Sequence, residues 1–169
     1  MSLRASTMET PFGAFSAIAD DGVVLAAGFA ADVEDMRRRL DLPRRVRPMQ
    51  VTDDLGPVGE ALRGYFDGDV DALDRIEVDQ AGGEFRTAAW KAMRAVPAGE
   101  TITYAELAAH AGSPRASQAA GSACSQNRIA LIVPCHRIVG TGGGLGGYYY
   151  GLDLKSGLLE HERRHGHAR

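Results

Sequence analysis

Cysteine is scarce in this chain. Only Cys124 and Cys135 carry a thiol among 169 residues, and both lie in the C-terminal half. Two thiols cannot make a disulfide framework, and no Cys-x-x-Cys spacing marks a zinc site. Long apolar runs are missing as well. No stretch reaches the ~20 apolar residues needed to cross a bilayer, and the start lacks the basic-then-apolar pattern of a secretory leader. No membrane partner is therefore expected, and a reducing cytoplasmic setting is. The glycine-rich stretch 140–151 lacks the Gly-Lys-[Ser/Thr] ending of a Walker phosphate loop. The opening Met-Ser-Leu is read as appended residues outside the fold. What remains is ordinary for a globular protein, 44% apolar and 24% charged, and long enough for one large domain or two small ones.

Net charge is only −3, which argues against nucleic acid until the chain is divided. Residues 1–82 carry 9 Lys and Arg against 16 Asp and Glu, a balance of −7. Residues 83–169 carry 10 against 6, a balance of +4, together with all five histidines. A positive half can supply sequence-independent attraction to phosphate while the acidic half faces away. Two solvated surfaces of different composition would show the same split.

The pattern predicts a mixed α/β (α+β) chain with a boundary near Ala81-Gly82-Gly83, giving domains 1–82 and 83–169. Asp20-Asp21-Gly22 between the apolar runs Ala14–Ala19 and Val23–Phe29 is a hairpin signal. Asp32–Leu40 reads as a helix with Arg37, Arg38 and Arg39 on its solvated face, and residues 41–57, with three prolines, as irregular. Val58, Ala61, Leu62, Tyr65 and Phe66 make the stripe of a core-facing helix closed by Gly68, and a short strand is expected around Ile76 and Val78. Further on, Phe85, Ala88, Ala89, Ala92, Met93 and Val96 make another stripe, stopped by Pro97 and Gly99. Thr103 and Glu106 form a capping box, with Ile102 and Leu107 as its staple. That helix ends at Gly112, and Ser113 is read as the cap of the next, with Pro114 in its first turn. Helix, turn, helix is the spacing of a DNA-reading motif and equally that of a plain αα-hairpin. A last helix is expected from about Asp153, followed by a frayed basic tail from Arg163 to Arg169.

Residues Leu131–Gly140 read Leu-Ile-Val-Pro-Cys-His-Arg-Ile-Val-Gly. The apolar start is a candidate buried strand, ended by Pro134. On a continuing strand Cys135 and His136 would face opposite ways, whereas a turn at Pro134 would bring both toward one site. A thiol beside an imidazole and a guanidinium is a setting in which a cysteine becomes reactive. A buried inert cysteine is the bland alternative.

The run Pro134-Cys135-His136-Arg137 resembles the active-site motif of the O6-alkylguanine-DNA alkyltransferases. The resemblance continues in Phe85 with Trp90, Gly99-Glu100-Thr101-x-x-Tyr104, Gly121-Ser122-Ala123, Asn127, Gly147-Tyr148, Gly151-Leu152, Lys155 and Leu158-Leu159-x-x-Glu162. It implies a ribonuclease-H-like sheet-and-helix domain followed by a mainly helical domain with a helix-turn-helix and a cysteine loop. It also implies irreversible transfer of an alkyl group from O6-alkylguanine, and by extension O4-alkylthymine, in flipped-out double-stranded DNA to Cys135. His136, oriented by Glu162, would activate the thiol through water. Asn127 would hold the turn before the active loop, and Tyr148, helped by Lys155, would donate to the departing oxygen. Tyr104, Arg115, Gln118, Ala119, Arg128 and Arg137 would face DNA, and Pro134, Tyr149 and Tyr150 would border the pocket. No cofactor and no metal are implied, and a monomer is expected.

Three positions depart from the family pattern. Gln118 stands where the family carries the arginine that fills the gap left by the flipped base. Arg128 replaces a proline, and Tyr149 and Tyr150 replace a small polar residue and a glycine. Two other functions are weighed against transfer. One is a lesion-binding protein with weak or no transfer, which Gln118 favours; the other is a Cys-His thiol hydrolase.

Overall fold

The computed structural model describes residues 2–166. They form two compact units, one running to Ala81 and including Arg128–Ile132, the other formed by Gly82–Asn127 and the chain from Val133 onward.

The first unit is built on an antiparallel meander of β1 (Leu3–Thr10), β2 (Gly13–Asp20) and β3 (Val23–Gly28). Asp21 and Gly22 both have positive φ, 49° and 84°, as the tight hairpin turn between β2 and β3 requires. Short parallel strands flank the meander: β4 (Met49–Val51) against β1 and β5 (Glu77–Val78) against β3. The order is β4-β1-β2-β3-β5. Phe15 and Ile18 have opposite parity on β2 and so point to opposite faces. Ile18 packs with Leu3, Ala5, Leu25, Val33 and Met36 under helix α1 (Val33–Arg37), which Asp32 caps. Phe15 meets Phe29 at 4.9 Å and Phe66 at 6.2 Å, where Phe66 ends a helix described below. Each fully buried side chain of this size contributes about 1.5–3 kcal/mol relative to exposure.

Several expectations change here. Leu3 is fully buried as the first residue of β1 and so belongs to the fold, while Met1 lies outside the described residues. The helix from Asp32 is shorter than its apolar pattern, and Arg37 is not merely solvated: its guanidinium donates to Arg45 O and Arg47 O. The stretch read as irregular holds helix α2 (Leu42–Arg45) and strand β4 before α3 (Pro57–Phe66) begins. The run Ile129–Val133 is buried but is not a strand. Ile129 makes a single parallel bridge to Ala27, with Ala27 N–H donating to Arg128 O and Ala130 N–H to Ala27 O. Leu131 then takes φ of 72°, and Ile132 N–H donates to Ala130 O at 2.8 Å, a three-residue turn.

The second unit packs α4 (Glu84–Arg94), α5 (Tyr104–His110), α6 (Ser117–Ser125) and α7 (Leu152–His165) around a parallel pair, β6 (Ile102–Thr103) with β7 (Ile138–Val139). Trp90 on α4 is buried and its indole N–H donates to Ala123 O of α6 at 2.9 Å. Gly82 is confined by the same ring, since a Cβ there would come within 2.6 Å of it. The capping box of Thr103 and Glu106 forms as expected. Helix α6 starts three residues later than expected, capped at Ala116 and not at Ser113, because Ser113–Ala116 closes a turn, with Ala116 N–H donating to Ser113 O. Proline in the second position of such a turn needs no helix. Residues 163–165 continue α7, while 167–169 of the expected frayed tail lie outside the described residues. No helix among the described residues is long and apolar enough to cross a membrane.

Candidate active site

Pro134 sets the site. Its φ of −84° and ψ of 67° close a tight turn in which Cys135 N–H donates to Val133 O at 2.8 Å. A 3-10 turn over Cys135–Arg137 follows, so Cys135, His136 and Arg137 sit on a coil and not on the two faces of a strand. Asn127 is buried and spans the start of this turn: Nδ2 donates to Val133 O at 2.9 Å and toward Cys135 Sγ at 3.4 Å.

Helix α7 supplies the partner of His136. Leu158 and Leu159 are its apolar anchors, and burying them carries Lys155 and Glu162, on the same stripe, fully out of solvent. Glu162 Oε2 lies 2.7 Å from His136 Nε2. Arg137 grips the same carboxylate, Nε to Oε1 at 2.8 Å and Nη2 to Oε2 at 3.1 Å, while Nη1 donates to Val96 O at 2.7 Å. Burial pushes the Glu162 carboxyl up, but His136 and Arg137 outweigh it and hold the group well below the usual carboxylate range. Burial pulls His136 below its ordinary value, and the opposing pull of Glu162 does not overcome it. A neutral imidazole donating from Nε2 leaves Nδ1 as a lone-pair acceptor. Nδ1 is buried and has no hydrogen-bond partner among the described residues.

Cys135 forms part of the wall of a cavity of about 260 Å³, together with Tyr104, Gly121, Cys124, Tyr148 and Tyr149. Burial pushes the Cys124 thiol far up. Tyr148 packs edge-on to His136, ring centres 6.4 Å apart, and its buried hydroxyl also lacks a partner among the described residues. The glycine-rich loop that carries Tyr148 is tied down from beneath. Lys155 Nζ donates to Ile138 O at 2.6 Å, Leu145 O at 2.5 Å and Gly147 O at 3.0 Å. Gly147 N–H donates to the Tyr104 hydroxyl at 3.3 Å. An ammonium has three donors, and all three are spent on carbonyls. Lys155 thus braces the loop and does not reach the cavity as a proton donor.

Residues 84–164 match the family model described as 6-O-methylguanine DNA methyltransferase, DNA binding domain. Over 163 residues the chain is 33% identical to the methylated-DNA–protein-cysteine methyltransferase of Shigella flexneri, covering 95% of each protein. The chain belongs to the methylated-DNA–protein-cysteine methyltransferase family. It is 47% identical over 109 residues to the protein of that name from Mycolicibacterium paratuberculosis, a match covering 64% of this chain and 66%, just under two thirds, of that relative. The crystal structure of Mycobacterium tuberculosis OGT in complex with DNA superimposes with a TM-score of 0.77 at 31% identity, covering 98% of this chain and 96% of that one.

Within this methyltransferase-family chain the sequence-derived site residues separate into groups. Cys135, His136, Glu162, Asn127 and Tyr148 are brought together. Gln118 and Ala119 are exposed on the first turn of α6, and Arg115 is exposed in the turn before it, not on the helix. Arg128 belongs to the first unit, where Nη1 donates to Ala81 O at 2.8 Å. Arg137, expected to face DNA, is buried on Glu162 and Val96 and is not a surface cation. Tyr149 borders the cavity but is 67% exposed, whereas Tyr150 packs edge-on to Tyr148 and Tyr149 outside its wall. Pro134 shapes the turn and is not part of the wall. Two contributions were not anticipated. Cys124 shares the cavity, and Gly146, with φ of 73°, sits where a Cβ would come within 2.6 Å of the Tyr104 hydroxyl. A glycine among seven in one loop gave no signal that this one is the confined position. Among the described residues, no group of three or more His, Cys, Asp and Glu side chains could hold a metal ion.

Proposed function

We propose that this protein repairs DNA by taking an alkyl group from the O6 of an alkylated guanine onto Cys135, once per molecule. The observation that carries the reading is the arrangement around the thiol. Cys135 opens on the cavity, and His136 beside it offers an unoccupied buried Nδ1 with Nε2 locked on Glu162.

In the reaction the thiol proton moves toward His136 Nδ1 as sulfur attacks the alkyl carbon. The S–C bond forms and the C–O6 bond breaks, and its electron pair stays on oxygen. Tyr148, with a buried hydroxyl that has no partner among the described residues, donates toward that oxygen, and His136 returns a proton to the phenolate. Guanine is restored and Cys135 becomes a thioether. Thiols do not reverse a bond to carbon, so the protein is consumed. A free thiol with a pKa of about 8.5 is only a few per cent thiolate near neutrality, which is why a base is needed.

The O6 atom is hidden in a duplex, so the nucleotide must leave the stack at a cost of a few kcal/mol. Tyr104 borders the cavity, and Arg115, Gln118 and Ala119 lie on the exposed side of the α5–turn–α6 segment, so these four are assigned to the DNA surface. The protein acts as a monomer in a reducing compartment. The test is stoichiometry: with excess duplex containing O6-methylguanine, the lesions lost should equal the molecules of protein added, and Cys135→Ser should remove none. Loss continuing beyond one lesion per protein overturns the reading.

A further inference from the structure

The last turns of α7 carry His161-Glu162-Arg163-Arg164-His165, the spacing His-Glu-x-x-His. On a helix that spacing sets two imidazoles one turn apart on one face. In one class of metalloproteases such a pair holds zinc, with the glutamate as general base. Here the structure divides the motif. Glu162 is buried and committed to His136 and Arg137, so it does not serve as a base beside an ion, and a hydrolytic centre is not formed. The two histidines are outside the alkyl-transfer site, His161 half-buried and His165 exposed.

Their rings already stand together, centres 4.7 Å apart and planes at 50°. Two imidazoles bound to one tetrahedral ion at ~2.0–2.1 Å have ring centres about 5 Å apart. Only a small rotation about the side-chain bonds separates the two arrangements. The proton on His165 is placed as well. Its Nδ1 lies 2.9 Å from His161 O, and a carbonyl only accepts, so Nδ1–H is the donor. In the neutral ring this leaves the lone pair on Nε2, and a metal-bound histidine is commonly held in this way, its other N–H donating to a backbone carbonyl. His161 brings two ring nitrogens, and an ion needs one of them whatever the other bonds. The charges nearby tolerate a cation. A helix C-terminus carries about half a negative charge, and Arg163 is paired with Glu160 at 3.3 Å.

We propose that His161 and His165 form a two-histidine site for Zn2+, completed by water, which staples the last turn of α7. Imidazole suits zinc, whereas magnesium prefers oxygen ligands and keeps its water. The ion ties residues 161 and 165 across the turn that contains Glu162, and so stabilises the helix end from which Glu162 reaches His136. Two protein ligands are fewer than the three or four of catalytic and structural zinc sites, so the ion exchanges with free zinc. The assignment does not rest on the alkyl-transfer reading.

The experiment titrates full-length, isotope-labelled protein with zinc chloride at about pH 7.5, where an ordinary histidine is neutral. NMR of the histidine ring nitrogens locates the ion, and calorimetry gives its affinity and number. One ion per chain should bind, moving the signals of His161 and His165 and leaving those of His110 and His136 in place. Zinc should also raise the melting temperature, as any ligand of the folded state does. His161→Gln and His165→Gln should each weaken binding at least ~tenfold, the low end of what losing even an outer-shell partner costs. His167→Gln should bind as the wild type does, and magnesium chloride should move none of the signals. Zinc seated on His136 instead, or both single glutamine variants at 161 and 165 binding like the wild type, overturns the proposal. So does a loss of binding confined to His167→Gln, or an equal response to magnesium.

Discussion

At the scale of single residues, the site is a set of groups whose charges are fixed by burial and by each other. His136 and Glu162 both bind protons less readily in the folded protein than in an unfolded chain. Stability contributed by His136 is therefore complete above its unfolded value of about 6.5 and erodes as pH falls toward its lower folded value. That of Glu162 is complete above about 4.3 and erodes below it. The melting temperature should fall in two stages on acidification, and His136→Gln should remove the first. A melting temperature that is flat or rises from about pH 8 to about pH 5 contradicts the assignment. Cys135, His136 and Glu162 were legible through the family resemblance, carried by Pro134-Cys135-His136-Arg137 and Leu158-Leu159-x-x-Glu162. The partnership of Arg137 with Glu162 was not legible. It joins residues 25 apart, and an arginine next to a nucleophile reads in sequence as a surface cation.

At the scale of elements, the glycine-rich loop and the first turn of α6 carry the informative differences. Gly146 combines φ of 73° with a close approach to Tyr104. Gly146→Ala adds about 1–2 kcal/mol of left-handed strain and a clash with the hydroxyl, so the loop should leave Lys155 and take Tyr148 with it. Alkyl transfer should slow by at least ~tenfold if more than 1.4 kcal/mol reaches the transition state, while the fold, read by circular dichroism, stays intact. An unchanged transfer rate would mean the loop does not position Tyr148. At Gln118, exposed at the start of α6, an arginine would gain reach and charge toward the negative groove. Gln118→Arg should speed repair of methylated duplex and change repair of the free base much less, because only the duplex requires unstacking. If Arg115→Ala cripples duplex repair and Gln118→Arg does nothing, the turn residue fills the gap left by the base.

The helices were readable wherever an apolar stripe met a cap, as at Thr103–Glu106 and Leu158–Leu159. β4 was not, because a strand of three residues that directly follows Pro48 and has Gln50 and Val51 exposed carries no period. The start of α6 was misplaced because Ser113-Pro114 suits a helix entry and a β-turn equally. The run before Cys135 was misread as a strand because burial and β-branching mark a buried turn as readily as a buried strand. The positive φ of Leu131 falls on a γ-branched apolar residue, which carries no sign of a left-handed turn.

At the scale of the whole molecule, two compact units divide the work unevenly. The candidate site, from Tyr104 to Glu162, lies within the second unit, whose half of the sequence carries the positive balance. The change of composition near Gly82 could be read in the sequence. The return of Arg128–Ile132 to the first unit could not, since it rests on a few backbone bonds to Ala27 and on Gln80. The segment joins the first unit immediately after Asn127 and leaves it immediately before the turn that presents Cys135. The central claim is transfer to that one sulfur, and intact-protein mass spectrometry with peptide mapping after incubation with duplex O6-methylguanine tests it directly. The account predicts a single added methyl group on Cys135, Cys124 unmodified, and no labelling in Cys135→Ala. A methyl group on Cys124, or lesion removal that leaves the protein mass unchanged, would contradict it.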